Sequence, residues 1–440
     1  MNNNTFDVVV IGAGFGGMCT AARVASKGYK TLLIERLSFL GGRCSSLDCD
    51  GFQLTTGATV IPGGGVIEET FREVGAEFDV RRFQPEMVFR IGGKDYEWPI
   101  EKGLANAIYE YSRDKEGAGR VLDAISRALT WELPCNATIS LKDWLSQFTD
   151  DENIFKVFQP YCVAMIGINI YQLPVSEFFA WASKSLSSGQ GPFNYVPKGN
   201  AALCKFLGNV IEQKGGQIWK RAEAKRIIVD DHTVRGVVLR TSEGDWEVSA
   251  KAVVSNLGPK KTVEITGPQH FDKTYLAEME SIQPTPLMVL VNIVSDEPLI
   301  EHQGIVWLIG CSHLLCIISP TICCPELAPP GKHILQSFSG IMEPLSAVDP
   351  EREIEMNLAE LYKVIPRARK KGKVFSVGCY QRDWPLYRSA WRNLPQRTSV
   401  VHLYNVGDGV KIPGLVGVDL CAETARIVTE DIMRRIEPSW

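Results

Sequence analysis

The first forty residues combine an apolar run, a glycine-rich turn and a helical pattern. Residues 6–11 read Phe-Asp-Val-Val-Val-Ile, which is typical of a strand buried on both faces of a parallel sheet. Small apolar residues at 18–27, ended by Gly28, predict a helix, and residues 31–34 predict a second strand. These elements form a βαβ unit within about thirty residues.

Beyond this unit the pattern becomes mixed. Short apolar runs separated by turn residues predict strands, and longer amphipathic stretches predict helices. The predicted elements are loops at 37–66, a hairpin at 88–91 and 94–98, helices through most of 101–190 and at 200–214, strands at 218–230, 233–240 and 252–256, an antiparallel sheet over 284–340, a strand at 403–406 and a helix at 418–436.

This order of elements predicts an α/β protein. A three-layer, Rossmann-like dinucleotide-binding domain is interleaved with a substrate domain, which is made of an antiparallel or mixed sheet and a helical insert. We assign residues 1–100, 195–275 and 395–440 to the first domain, and residues 101–194 and 276–394 to the second. Each domain is therefore discontinuous in sequence.

The glycine-rich turn has the spacing of a dinucleotide-binding fingerprint. Gly12, Gly14 and Gly17 fit G-x-G-x-x-G, and Glu35 follows 18 residues after Gly17, at the end of the second strand. The glycines allow a tight turn and close approach to a pyrophosphate, while the acid is placed to bind ribose hydroxyls. Within this segment, the other candidate cofactor-binding residues are Ala13, Phe15, Gly16 and Arg36.

Two further segments suit an extended dinucleotide, although the fingerprint alone does not decide between FAD and NAD. Gly41-Gly42-Arg43 lies just after Glu35, and an arginine there suits phosphate oxygens. Near the C-terminus, Gly407-Asp408 follows a predicted strand, and Gly417-Val418 opens a predicted helix. The carboxylate can hold a polyol hydroxyl, and the glycines permit close approach to a ligand.

These residues resemble the phytoene-desaturase-type branch of the flavin amine oxidase superfamily. The resemblance covers most of the chain and is thin between residues 103 and 190. The matching residues are Gly12, Gly14, Gly17, Glu35, Gly41, Gly42, Arg43, Pro197, Gly199, Ala224, Ile227, Ser255, Asn256, residues 328–333, Gly407, Asp408 and residues 417–425. One departure is Asn200, where the family commonly has a second glycine.

The resemblance implies one non-covalent FAD. It places Arg43 at the diphosphate and Glu35 at the adenosine ribose. It places the backbone of Ala224 near the adenine, Asp408 at the ribitol or diphosphate, and Val418 near the flavin ring. Asn256, Gly407 and Gly417 complete the implied cofactor site.

Composition excludes several other classes of function. The formal net charge is −4, which argues against nucleic acid as a partner. No apolar stretch is long enough for a membrane span, and the N-terminus has no secretory signal, so we expect a cytoplasmic protein. The 12 cysteines lack zinc spacing and are expected to be reduced core residues. We expect no metal site, and no motif identifies a catalytic residue.

Aromatic residues are candidates for the substrate site. Trp307 lies in the predicted sheet, while Tyr380, Trp384 and Trp391 precede the last cofactor segment. Core packing is the alternative role for each. We identify no aromatic cage or acidic pair suited to an amine, which favours an apolar substrate. An apolar cluster within 155–166 either packs internally or touches a membrane surface. The sequence does not indicate an oligomeric state.

The leading hypothesis is an FAD-dependent oxidoreductase that transfers hydride from an apolar, lipid- or terpenoid-like substrate to flavin, giving desaturation. Three alternatives remain: an amine or amino-acid oxidase, a redox-neutral flavin-dependent isomerase, and a flavin-free scaffold that binds prenylated proteins. The intact Gly42-Arg43 and Gly407-Asp408 pairs argue against the scaffold.

Overall fold

A computed structural model describes residues 4–97, 103–130, 139–187, 193–281, 287–340, 349–380, 394–410 and 412–439. The strands of this part are β1 (Thr5–Ile11), β2 (Thr31–Glu35), β3 (Ser46–Cys49), β4 (Phe52–Thr55), β5 (Ile61–Pro62), β6 (Arg81–Arg82), β7 (Met87–Ile91), β8 (Lys94–Glu97), β9 (Phe193–Tyr195), β10 (Gln217–Lys220), β11 (Glu223–Asp230), β12 (Thr233–Thr241), β13 (Gly244–Ser255), β14 (Met288–Ser295), β15 (Ile305–Ile309), β16 (Leu314–Ile318), β17 (His333–Gly340), β18 (Lys373–Tyr380) and β19 (Leu403–Asn405).

The α-helices are α1 (Phe15–Ser26), α2 (Gly65–Val74), α3 (Gly103–Tyr111), α4 (Lys115–Thr130), α5 (Leu141–Leu145), α6 (Glu152–Tyr161), α7 (Val175–Ser187), α8 (Ala201–Gln213), α9 (Pro259–Thr266), α10 (Lys273–Glu280), α11 (Pro350–Val364), α12 (Pro366–Lys371) and α13 (Gly417–Arg435). A π-helical turn, Cys162–Ile166, follows α6 directly.

The first large sheet has the strand order β10-β2-β1-β13-β12-β11, with β19 also paired to β13. Its central strand β1 is parallel to both β2 and β13. Val8 and Val10 enter the core on one face, and Val9 and Ile11 enter the core on the other. Because β1 is buried on both faces, its sequence is a continuous apolar run rather than an alternating one.

Helices pack against both faces of this sheet. Apolar residues of α1, α2, α8 and α13 form a single cluster with β1. Residues of α9 and α10 pack on the opposite face, together with the antiparallel strands β11 and β12. The predicted Rossmann-like layering and the mixed α/β class are therefore confirmed. The turn between β11 and β12 is formed by Asp231 and His232, which both have positive φ, as a tight hairpin requires.

The second large sheet has the order β18-β14-β17-β16-β15-β7-β8. Along β15, Ile305 and Trp307 face one core, and Val306 and Leu308 face another, as the alternation of side chains along a strand demands. Helices α3 to α7 contribute to the first core, and α11 and α12 contribute to the second. The first core lies between the sheet and the helical insert and is formed by residues of both.

Two sequence-based predictions of elements need correction. The predicted strand at 218–230 is broken near Arg221, whose φ is +55°, so that β10 and β11 pair with different strands. The loop region 37–66 contains the hairpin β3–β4. Within 284–340, strands β14 to β17 pair antiparallel as predicted, and the parallel pairing of β15 with β7 makes the whole sheet mixed. The β7–β8 hairpin lies in this second sheet although it falls within residues 1–100. The division into two domains stays a proposal, and sheet membership favours moving the hairpin to the substrate domain.

The apolar cluster at 155–166 is mostly internal. Phe155, Phe158, Tyr161, Val163 and Ile166 are each buried. In the described residues, no helix has both the length and the apolar character that a membrane span requires.

Candidate active site

The glycine-rich turn joins β1 to α1. Gly12 has a φ of +90°, and its N–H donates to the Ile34 carbonyl at 2.8 Å. A Cβ at Gly17 would lie 2.0 Å from the Gly12 carbonyl oxygen, so a side chain there has no room. Helix α1 begins at Phe15 with Gly14 as its N-cap residue, and no side chain caps this end. The backbone amides of the first turn suit an anion.

Glu35 ties this turn to the end of β2. Its Oε2 accepts a hydrogen bond from Ala13 N–H at 2.8 Å, and its Oε1 accepts one from Leu37 N–H at 2.8 Å. Glu35 is 7% exposed and lines the main cavity, and Arg36 lines it as well. Each carboxylate oxygen has further acceptor capacity, so Glu35 can also receive ribose hydroxyls.

Arg43 and Asp408 are joined across the site. Arg43 Nη2 lies 2.9 Å from both Asp408 Oδ1 and Oδ2, in a partly buried ion pair. Burial alone would lower the pKa of Arg43, but the charge of Asp408 outweighs it and raises this pKa. The preceding Gly41 donates its N–H to the Ala13 carbonyl at 2.7 Å, so the Arg43 loop docks on the glycine-rich turn.

Asn256 and Gly407 are packed against the same turn. A Cβ at Gly14 would lie 2.5 Å from Asn256 Nδ2, and one at Gly407 would lie 2.3 Å from Asn256 Oδ1. A Cβ at Gly16 would lie 3.0 Å from the backbone of Gly407. Gly407 N–H donates to Thr424 Oγ1 at 3.0 Å, which attaches this segment to α13. The three glycines therefore allow backbone segments to approach each other closely.

A cavity of about 630 Å³ connects the predicted residues. Its lining includes the predicted residues Gly12, Gly14, Phe15, Glu35, Arg36, Gly42, Arg43, Ala224, Asn256, Asp408, Gly417, Val418, Trp307 and Tyr380. Ala13, Gly16, Gly17 and Gly407 are not part of this lining and form the scaffold beneath it. Trp384 and Trp391 lie outside the described residues.

The other end of the cavity is apolar. It is bounded by the face of the second sheet and by the helical insert, and its lining there is Ala164, Met165, Trp181, Phe193, Met288, Ile305, Cys316, Ile318 and Phe338. Ala164 and Met165 belong to the π-helical turn, a feature that is frequent at functional sites. Sequence reasoning missed these residues, because the pattern of the insert does not indicate which of its faces borders a cavity.

Burial perturbs several titratable groups beside the cavity. Burial raises the pKa of Tyr380 to about 12, with Arg43 acting in the opposite direction. Burial also raises the pKa of the Cys421 thiol to about 12. Asp419 is 6% exposed, and burial raises its pKa to about 7 against the attraction of Lys184. Neither Asp419 nor Cys421 was predicted as a site residue, although both lie in the first turns of α13 beside Val418.

The chain's residues fit an extended FAD. A glycine-rich helix terminus, an acid at the end of β2 and an arginine provide contacts for diphosphate and ribose. The cavity then continues past Val418 to the apolar sheet face. The eleven cysteines in the structurally described segments are free, and no metal-binding cluster of His, Cys, Asp or Glu occurs there.

The chain is similar to one family model and to several known proteins. A family model described as an NAD(P)-binding Rossmann-like domain matches residues 10–74. An uncharacterised protein of Methanocaldococcus jannaschii is 27% identical over 418 residues, covering 93% of this chain and 95% of that protein. A 15-cis-phytoene desaturase of Capsicum annuum is 25% identical over 467 residues, covering 98% of this chain and 78% of the desaturase. A prolycopene isomerase of Daucus carota is 23% identical over 431 residues, covering 83% of this chain and 66% of the isomerase.

Solved structures share the fold over nearly the whole chain. The crystal structure of an oxidoreductase from Methanosarcina mazei has a TM-score of 0.83 and 25% identity, covering 96% of this chain and all (100%) of that one. A putrescine oxidase bound to putrescine has a TM-score of 0.73 and 17% identity, covering 98% of this chain and 99% of the oxidase. At this identity the similarity concerns the fold only. These findings confirm the resemblance to phytoene-desaturase-type proteins and the expected class of the chain, an FAD-dependent oxidoreductase with a Rossmann-like fold.

Proposed function

We propose that the protein is an FAD-dependent desaturase acting on an apolar, unsaturated substrate of the lipid or terpenoid kind. The observation that carries the proposal is the continuity of the cavity. It extends from the dinucleotide turn at Gly12 and Glu35 to the apolar face of the second sheet around Trp307. A substrate on that face lies in the same space as the reactive end of the cofactor.

FAD, when bound, would accept the hydride and the proton that two adjacent substrate carbons lose as a C=C bond forms between them. The chain binds the dinucleotide through the helix terminus, Glu35 and Arg43. It orients the substrate between the second sheet and the insert, and the apolar lining excludes water.

The lining argues against an amine substrate. Among the described residues, those that line the apolar end of the cavity include no carboxylate. An ammonium group in the apolar part would be buried without a strong counter-charge, which is unfavourable. The relationship to a prolycopene isomerase favours a redox-neutral isomerase as the second candidate.

The test is anaerobic flavin bleaching by the purified holoenzyme. The panel contains polyenes, lipid-like alkenes, amines and reduced nicotinamides. We expect a polyene or alkene to bleach the flavin and to yield a product with one more C=C bond. Bleaching by amines alone would contradict the proposal. Geometric isomerisation of a polyene with no net loss of hydrogen would identify the isomerase instead.

A further inference from the structure

The loop of residues 57–60 connects the Arg43 segment to the second sheet. All four of its residues line the cavity. On one side, Ala58 N–H donates to the Arg43 carbonyl at 2.8 Å, so the loop lies directly on the Arg43 segment. On the other side, Thr59 Oγ1–H donates to Gln336 Oε1 on β17 at 2.9 Å. The loop therefore bridges the predicted cofactor residues and the sheet that bounds the apolar end of the cavity.

Gln336 belongs to a polar row that crosses the second sheet and consists of Gln336, Asn292 and Ser376. Gln336 Nε2–H donates to Asn292 Oδ1 on β14 at 2.9 Å, and Asn292 Nδ2–H donates to Ser376 Oγ on β18 at 3.0 Å. The three residues are directly in register on neighbouring strands. Gln336 is 2% exposed and Asn292 is 3% exposed. Thr59 extends this row from the sheet into loop 57–60.

The polar row lies on the cavity side of the sheet, among apolar side chains. Residues 336 and 338 of β17 share one face, and Phe338 lines the cavity. Ile318, the β16 residue in register with Gln336, lines the cavity as well. Burying two amides in such surroundings is costly unless each is hydrogen-bonded. The bond from Thr59 satisfies the Gln336 carbonyl oxygen, so the sheet favours one position of loop 57–60.

Asn200 holds the same loop from helix α8. It stands where the phytoene-desaturase-type family commonly has a second glycine, and it is 4% exposed. Its Nδ2–H donates to the Ala58 carbonyl at 2.6 Å. Asn200 is the N-cap residue of α8, but its side chain makes no capping hydrogen bond to that helix. The side chain of Asn200 therefore supports the loop rather than the helix end.

We propose that Thr59, Gln336, Asn292 and Asn200 are positioning residues that hold loop 57–60 against bound FAD. The polar row anchors the loop to the second sheet, and Asn200 anchors it to α8. A loop that is ordered before the cofactor arrives costs less to organise on binding, so these anchors raise the affinity for FAD. The inference depends on FAD as the cofactor and goes beyond the proposed desaturation, because it is independent of which substrate reacts.

Fluorescence titration of the apoprotein with FAD tests the anchor on the sheet. Thr59→Val and Gln336→Met each remove the bond between loop and sheet with little change in side-chain size. Each should raise the dissociation constant for FAD about 5- to 30-fold, as loss of a hydrogen bond of about 1–2 kcal/mol gives. The double variant should be little worse than the single ones, because both remove the same bond. Thr59→Ser keeps the hydroxyl and should bind FAD as the wild type does.

Ser337→Ala is the matched control. Ser337 follows Gln336 on β17, but its side chain faces α11, where its Oγ–H donates to Asn357 Oδ1 at 2.6 Å. Both residues of this pair are 0% exposed. Loss of this buried bond should lower the stability of the apoprotein in urea and leave the dissociation constant for FAD unchanged. The visible circular dichroism of the bound flavin should also stay unchanged, whereas Thr59→Val and Gln336→Met should alter it at saturating FAD.

Asn200→Ala tests the second anchor. Because the Asn200 side chain does not cap α8, this substitution removes the bond to Ala58 without removing a helix cap. It should weaken FAD binding by a similar factor. Unchanged FAD affinity and flavin dichroism in Thr59→Val and Gln336→Met, or an equal loss of affinity in Ser337→Ala, would overturn the inference.

A measurement on the wild type does not depend on any variant folding. Hydrogen exchange of the apoprotein should show a peptide spanning residues 56–60 protected before FAD is added, and FAD should slow its exchange further. Exchange at the rate of an unfolded chain in the apoprotein, or no response to FAD, would contradict the proposed positioning. Failure of the desaturase proposal looks different, because the flavin would then be bleached by amines and not by polyenes.

Discussion

Arg43 Nη2 contacts both carboxylate oxygens of Asp408 although 365 residues separate the two residues in sequence. The pair brings the loop after β2 next to the segment that precedes α13. Both residues line the cavity, so the contact joins two walls of the dinucleotide site. An ion pair that also faces a ligand links the stability of the site to the binding of that ligand.

We therefore expect Arg43→Ala and Asp408→Ala each to weaken FAD binding by about 10- to 100-fold, because each leaves a partly buried charge without its partner. The double variant should be little worse than either single one. Fluorescence titration of the apoprotein with FAD measures this effect.

An exposed arginine–aspartate ion pair provides the control. Arg240 and Asp245 are joined at 2.7 and 3.0 Å, but both are exposed. Arg240→Ala should leave the dissociation constant for FAD unchanged. Unaltered FAD binding in both Arg43→Ala and Asp408→Ala would contradict the assigned roles.

Glu35 is expected to support the turn as well as the cofactor. In Glu35→Gln, an amide nitrogen replaces one oxygen, so one of the two N–H groups of Ala13 and Leu37 loses its acceptor. The apoprotein should lose about 1–3 kcal/mol of unfolding free energy in urea. A purely ligand-binding role would instead weaken FAD binding and leave the apoprotein's stability unchanged.

Gly17→Ala should destabilise the dinucleotide-binding turn. The new methyl group would collide with the Gly12 carbonyl oxygen and force β1 and α1 apart, at a cost of about 1–3 kcal/mol or more and with loss of bound FAD. Urea unfolding and flavin content measure the two effects.

Gly119→Ala is the control for that substitution, since a Cβ at Gly119 in α4 meets no atom within 4 Å. It should be neutral or stabilising, because alanine favours the helix. Normal flavin content in Gly17→Ala would count against the close packing of β1 and α1.

Asp419 is expected to make stability depend on pH. Its folded pKa of about 7 lies above its ordinary value of 3.8, so the folded protein holds a proton that the unfolded chain releases in this window. The stabilising contribution is complete below pH 4 and declines by about 1.4 kcal/mol per unit as the pH rises towards 7. Asp419→Asn removes this decline, so the variant should gain stability relative to the wild type between pH 4 and 7.

Urea unfolding at several pH values tests this expectation. Lys184 faces Asp419 from α7 and opposes the shift, so Lys184→Met should enlarge the pH effect. Asp245→Asn alters an exposed carboxylate whose pKa is lowered by Arg240, and it should not reproduce the gain. A constant difference between Asp419→Asn and wild type across this range would contradict a raised pKa.

The sequence by itself determined the parts of the molecule whose signal is local. The apolar run of β1, the glycine spacing after it and Glu35 at the end of β2 lie within one βαβ unit, so backbone geometry alone relates them. The hairpins β7–β8 and β11–β12 were likewise predicted from turn residues and alternation.

The tertiary structure decided what depends on contacts between distant segments. The pairing of Arg43 with Asp408, the parallel placement of β7 beside β15, and the burial of Asp419 have no local signal, because each arises from packing between elements far apart in sequence. The orientation of Trp307 towards the cavity follows from alternation along β15. The polar row that continues into Thr59 became visible only once β14, β17, β18 and loop 57–60 were in place.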